Sequence, residues 1–450
     1  MKIAKIAAVT TTTAALALAL AACSSSDDSS DSSSSSSAAP SAAENGKKFE
    51  GQTLKVWRMG SPDSNPAAVK YMEDLNAKFK EQTGADVDLQ WIPWPDAQNK
   101  WSTAVASGEG PDVTEMGNDQ VPGWVEQDAL AEITDAVKGD ADLQQIPENL
   151  LGYESREGKI YAVPWGGGSR AVLYRTDWFK DLGLEIPKTW DELVATAKTI
   201  VAKKGKDVDG FAFNGGSDAN AVLSPFIWSA GGDYATLEGG KWVGKLTEPG
   251  TKEGFQFYTD LVAKEGVSGK SRLTQNSTDI RTRFANNKVG MYVTAGWDID
   301  SIKKESNGKV DEKKMAFFPI PTKDGNGAAP TMMGGNDLAV WGTTKNKELA
   351  AEYLKLATGK EWGVRFAKEN GLIPVYPEAA DAYAQENPEQ QAFVDAYKVA
   401  HAYPATPNWG DVNEVKSVLQ NAARAVIEGK KSVDDALADA NTEVESILNQ

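Results

Sequence analysis

Cysteine and histidine are almost missing, with one of each in 450 residues. A single thiol forms no internal disulfide, and one His with one Cys cannot build a zinc site from those ligands. Basic charge is short as well: 47 Lys+Arg against 64 Asp+Glu leave a net charge of −17. That sign is wrong for neutralising nucleic-acid phosphates or for electrostatic attraction to anionic lipid. After residue 22 there is no 18-residue apolar run of the kind that crosses a membrane. No Gly-x-Ser-x-Gly elbow, no His-Glu-x-x-His pair and no fixed-period repeat is present. Gly166-Gly167-Gly168-Ser169-Arg170-Ala171 fits a loose dinucleotide pattern, but Val172-Leu173-Tyr174 continues it as a strand where a helix is required. What remains is carboxylates, hydroxyls, aromatics and 41% hydrophobic residues, enough for two or three domains. No cofactor and no metal is called for, and a neutral or cationic partner suits the charge.

Residues 1–22 carry Lys2 and Lys5, an apolar Ala/Leu/Thr run and the small-residue end Leu20-Ala21-Ala22, which reads as a secretory signal peptide. Cys23 follows at once, and Leu20-Ala21-Ala22-Cys23 resembles a bacterial lipobox, in which that Cys is acylated after cleavage. Two or more acyl chains would hold the protein stably on the outer face of the cytoplasmic membrane, whereas one would not. Residues 24–37 contain only Ser and Asp, and an Ala/Ser/Pro stretch follows. Such a sequence buries nothing and is expected to be disordered, so residues 23–50 read as a lipidated Cys with a linker. Cleavage removes two lysines and no carboxylate, leaving −19 on the exported part.

The body alternates strand and helix patterns. Leu54-Lys55-Val56-Trp57 reads as a strand, Val69, Met72, Leu75 and Phe79 share a helix face, and Val87, Leu89 and Trp91 alternate with polar residues. Strand, helix, strand in so short a span implies a right-handed crossover and a parallel sheet. A helix is expected over 97–106, with strands over 111–116 and 159–163. Thr189-Trp190-Asp191-Glu192 forms a capping box, and Ser432 opens the last helix in the same way. The class is α/β.

Several segments resemble family 1 extracellular solute-binding proteins, the carbohydrate-binding components of ABC importers. They are Gly108-Glu109-Gly110-Pro111-Asp112-Val113, Gly158 to Trp165, Leu173-Tyr174-Arg175-Thr176-Asp177, Pro187 to Leu193, Val289-Gly290-Met291-Tyr292 with Gly296-Trp297, Lys345 to Ala350, and Gly429 to Leu437. They run in family order from about residue 52 to the C-terminus. The resemblance implies a two-lobe periplasmic-binding-protein-like fold with a hinge and an interlobe cleft. Lobe 1 would comprise 51–164 plus 331–375, and lobe 2 would comprise 165–330 plus 376–450. Ligand would lie at the carboxyl ends of the strands, and closure would bury it.

Sugars offer apolar C–H faces that a flat indole covers, while its N–H takes a polar partner. Of 14 Trp, Trp57, Trp178, Trp190, Trp341 and Trp362 fall within strand or helix patterns and are expected in the core. Trp94, Trp165, Trp297 and Trp409 fall beside strand ends and are expected in the cleft, with Trp228 as a further candidate. Trp297 occupies the family's Gly-x-Trp position. Asp119, preceded by Asn118, stands where the maltose-binding members carry a sugar-binding Asp, and Asp96 has a similar case. Arg170 and Asn336 are candidate donors near the crossing segments. Arg58 to Asp63 lacks the charged pair of the maltose pattern, so a different oligosaccharide of two or more rings is expected. The implied partners are that oligosaccharide and the permease of an ABC transporter, with the protein a monomer touching the membrane only through its lipid, and not an enzyme.

Three alternatives stay open at this stage. A peptide or polyamine binder would also use an acidic cleft. A secreted glycoside hydrolase would need two carboxylates about 5–10 Å apart, and no local signature selects such a pair. An adhesin or structural lipoprotein is a third. His401 has no sequence partner suggesting catalysis.

Overall fold

The computed structural model of the chain describes residues 47–64, 66–216 and 219–450. The expected signal peptide, Cys23 and most of the linker lie outside the described residues. Among the described residues, no helix is long and apolar enough to cross a membrane.

Strand β1 (Thr53–Met59) leads into a helix, Pro66–Thr83, that buries Ala68, Tyr71, Met72, Leu75 and Phe79. Val69 is only half-buried, so the buried stripe is centred one residue from where the sequence pattern placed it. Gly84 stops the helix at φ +83°, a backbone conformation that costs a residue with a Cβ about 1 kcal/mol or more. Strand β2 (Asp86–Ile92) then pairs parallel with β1, with Val87, Leu89 and Trp91 half-buried as suits a sheet edge. The next helix begins at Trp94, earlier than expected, since a proline is tolerated in a first turn, and runs to Ser107. Strand β3 (Val113–Gly117) lies on the other side of β1.

A ribbon of β4 (Ser155–Arg156) and β5 (Lys159–Ile160) precedes β6 (Ala162–Gly168). The strand expected over 159–163 is thus split at Tyr161, whose N–H donates to the Glu154 carbonyl at 2.9 Å. After β7 (Ala171–Arg175) come β8 (Asp209–Phe211), a ribbon of β9 (Ala235–Glu238) and β10 (Lys241–Gly244), then β11 (Val289–Thr294), β12 (Met315–Phe318) and β13 (Gly334–Val340). Two sheets result, one in the order β2-β1-β3-β13-β6 and one in the order β12-β7-β11-β8. The chain passes from the first to the second through Ser169 and Arg170, and returns between β12 and β13.

Local signals behave as their chemistry requires. Thr189 Oγ1 accepts from the Glu192 N–H at 3.1 Å, and Glu192 Oε2 accepts from the Thr189 N–H at 3.2 Å, closing the capping box on helix Trp190–Lys204. Ser432 caps Val433–Leu448 by accepting from the Asp435 N–H. Trp57, Trp178, Trp190 and Trp341 are buried in the core as expected, whereas Trp362 is only half-buried against it.

Each sheet also encloses a charged group. In the second, Asp209 accepts from Arg272 Nε at 2.8 Å, from Arg283 Nη2 at 2.8 Å and from the Gly269 N–H at 3.0 Å. In the first, Glu115 pairs with Arg58 and accepts from the Met59 N–H at 2.7 Å. A buried charge is tolerated when it is paired and hydrogen-bonded in this way.

Candidate functional site

The strand ends of both sheets converge on one cleft. Asp119 lies two residues beyond the end of β3, Arg170 stands between β6 and β7, and Met332 precedes β13. Asn220 opens the helix Asn220–Ser229, which follows β8. Together with Tyr153, Tyr403, Trp409 and Asn413 these residues line a cavity of about 510 Å³. That volume lies within the usual range of small-molecule sites.

One wall is aromatic. Trp409 and Tyr403 stack with ring centroids 5.1 Å apart and planes 21° from parallel, and Tyr234 meets Trp409 edge-on behind them. The Tyr403 hydroxyl lies 3.0 Å from Ser224 Oγ, which also lies 2.7 Å from the Tyr234 hydroxyl. Burial pushes the Tyr403 phenol up to about 12, so it stays neutral and hydrogen-bonding at every ordinary pH. Tyr153 Oη accepts from the Tyr403 N–H at 3.0 Å, tying this wall to the first sheet.

The other features are charged. Arg170 lies over the Trp297 ring at 4.5 Å, and Trp297 itself is 62% exposed. The loop bearing Trp297 is fixed by the next residue, Asp298, which accepts from the hydroxyls of Tyr292 at 2.8 Å and Thr294 at 2.6 Å. Beneath the Asp119 side of the cleft, Glu154 and Asp337 lie side by side, each 1% exposed. Burial, and for Glu154 the neighbouring Asp337 charge, push both carboxyls well above the ordinary range. Two carboxyls without a cation cannot both ionise in such a place, so they hold a proton between them.

The structure therefore brings Asp119, Arg170 and Trp409 together in the cleft, with Trp297 beside Arg170. Trp165 is a correction. It is 1% exposed, stacks on Phe366 with centroids 3.6 Å apart, and donates its Nε1–H to the Ala357 carbonyl at 2.9 Å. Its ring belongs to the core, because β6 turns that face toward the helices behind the sheet. Trp228 likewise stands behind the wall, edge-on to His401 at 4.8 Å, with Nε1 donating to Asp233 at 3.3 Å. His401 is a half-exposed partner of Asp233 at 3.2 Å.

Two polar candidates spend their groups within the protein. Asn118 is buried, donates to the Met333 carbonyl at 3.1 Å and accepts from the Asp119 N–H at 2.9 Å, so it braces Asp119. Asn336 donates to Glu115 at 2.7 Å. Trp94 and Asp96 are exposed at the start of the helix Trp94–Ser107 and do not line this cavity. Sequence reasoning passed over Tyr153, Asn220, Met332, Tyr403 and Asn413, which carry no motif. The one available signal was the cluster Tyr403-Pro404 to Trp409, turn residues between two aromatics.

Comparison with known proteins follows the same lines. Residues 62–364 match the family described as bacterial extracellular solute-binding protein. The diacetylchitobiose binding protein DasA of Streptomyces coelicolor is 29% identical over 411 residues, 87% of this chain and 90% of that protein. The maltotriose-binding protein of Pyrococcus abyssi is 27% identical over 353 residues, 76% of this chain and 73% of that protein. Among solved structures, the sugar-binding protein MalE of Xanthomonas citri superposes with a TM-score of 0.74 at 22% identity, covering 88% of this chain and 97% of that one. The cyclic alpha-maltosyl-1,6-maltose binding protein of Arthrobacter globiformis gives 0.74 at 21% identity, covering 88% and 99%. At those identities the likeness establishes the fold, which is two-lobed.

Proposed function

The chain belongs to the bacterial extracellular solute-binding protein family, and from that premise we propose that its cleft captures an oligosaccharide for an ABC importer without altering it. The observation that carries this reading is the Tyr403–Trp409 stack facing a space that also holds Asp119 and Arg170. A sugar ring needs a flat apolar surface for its C–H face and charged or polar groups for its rim of hydroxyls, and both are offered here. The names of the diacetylchitobiose- and maltotriose-binding relatives support a ligand of two or more rings.

In this reading residues 51–164 plus 331–375 and residues 165–330 plus 376–450 move as two lobes. Trp297, exposed over Arg170, becomes covered when they close. The closed form differs in shape from the empty one, which gives a permease something to distinguish. Cys23 carries the lipid that keeps a monomeric body outside the cell at the membrane.

Titration calorimetry against diacetylchitobiose, maltotriose, maltose, a tripeptide and spermidine tests the ligand class. Micromolar or tighter binding of a sugar is expected, and binding of only the peptide or polyamine would overturn the reading. Trp409→Ala and Asp119→Ala should each weaken sugar binding by about 1 kcal/mol or more, as loss of a stacking or charged hydrogen-bonding partner does. Any shortened sugar after long incubation would refute capture without catalysis.

A further inference from the structure

Asn220 is 1% exposed and lines the cleft, yet its Oδ1 is a buried acceptor with no hydrogen-bond partner. Such an atom is rare in a folded protein and asks for an explanation. The amide's other end is committed: Nδ2 donates to Asn413 Oδ1 at 2.6 Å.

Which amide atom is oxygen follows from a chain of constraints. The backbone carbonyl of Asn413 can only accept, so the Gln420 atom 3.0 Å from it must be the donor Nε2. The same Nε2 lies 3.1 Å from the Asn413 side chain, so that atom must be Oδ1. Asn220 can meet an acceptor only with its NH2. Its uncommitted atom is therefore the oxygen, and turning the amide over would set oxygen against oxygen.

We propose that Asn220 is the specificity-determining acceptor of the cleft, its Oδ1 held uncommitted by the Gln420–Asn413 amide relay and paired, on binding, by a hydroxyl or acetamido N–H of the sugar. This rests on the reading of the cleft as an oligosaccharide site. In the empty cleft the oxygen is shielded from water as well as unpartnered, so the ligand's donor reaches it only as the cleft rearranges on binding, and pairing then recovers a cost that folding left standing. A ligand offering only acceptors at that point leaves the oxygen unpaired and is rejected, as sites built on buried polar groups reject analogues that lack the matching group. Asn413 and Gln420 act through Asn220 and are positioning residues.

Diacetylchitobiose and maltotriose are titrated into wild type and Asn220→Leu, which keeps the size of the side chain and removes its polarity. Binding of whichever sugar wild type takes should weaken at least tenfold in the variant, while its melting temperature stays level or rises. Equal affinity in the two proteins overturns the assignment and leaves the oligosaccharide reading intact. Binding of neither sugar by wild type overturns that reading and this assignment with it. Gln420→Met should weaken binding in wild type and have no further effect in the Asn220→Leu background. Equal losses in both backgrounds would show that Gln420 does not act through Asn220.

Discussion

Of the two sheets, the first buries one carboxylate, Glu115, by ion pairing as the second does, and two others in the opposite way. Asp209, in the second, is neutralised by two guanidinium groups, Arg272 and Arg283, and further held by Ser268 and the Gly269 N–H. Glu154 and Asp337, beneath the first sheet's side of the cleft, have no ion-pair partner among the described residues and share a proton. An ion pair is indifferent to pH between the carboxylate and guanidinium ranges, whereas a shared proton can be taken away. The first solution gives rigidity, and the second leaves the wall behind Tyr153 responsive to its surroundings.

The largest expected effect breaks the first solution. Asp209→Ala strands two cations, one of them nearly fully buried, and should cost about 3–5 kcal/mol of unfolding free energy in urea. A loss below about 1 kcal/mol would show that the cluster is wetter than its exposure suggests.

The next effect tests the second solution through pH. The folded pair holds protons that the unfolded chain gives up at about pH 4, so the folded state binds more protons above that point. Stability is therefore fullest at acid pH and falls as pH rises toward the raised values, by at most about 1.4 kcal/mol per unit per proton. Glu154→Gln, which donates permanently to Asp337, should flatten the fall between pH 5 and 8. A wild-type midpoint that does not change over that range would remove the shared proton from the argument.

The smallest effect sharpens the comparison at the surface. Lys288 and Asp207 form an ion pair at 2.7 Å on the rim of the second sheet, near Arg283, but both are exposed. Lys288→Ala should leave the denaturation midpoint unchanged within error, since solvent screens such pairs. A clear shift would mean that the rim supports the buried cluster.

The fold was largely legible in the sequence because its signals are local. The capping box at Thr189 and the alternation at Val87, Leu89 and Trp91 need only neighbours to act. The cleft was legible only in part. Asp119, Arg170 and Trp409 line the cavity, yet the ring of Trp165 lies in the core, because the direction a strand turns its ring depends on partners such as Phe366 and Ala357 that are remote in the chain. Gly166 and Gly167 show the same thing: a Cβ on them would strike Leu372 and Tyr397. Asn220 and Asn413 meet across 193 residues of sequence, and neither has a pattern around it. Pairings of that kind are set by the fold as a whole.

Trp297 has one more consequence. At 62% exposure it is the wettest indole among the described residues, while most of the others are already dry. Water-accessible indoles emit at longer wavelength and are quenched by iodide or acrylamide, so the protein carries its own optical gauge of the cleft mouth. Adding a sugar that closes the lobes should shift the emission to the blue and protect it from quencher. Trp297→Phe would silence most of that change, turning one side chain's position into a signal that can be followed in a cuvette with no label attached.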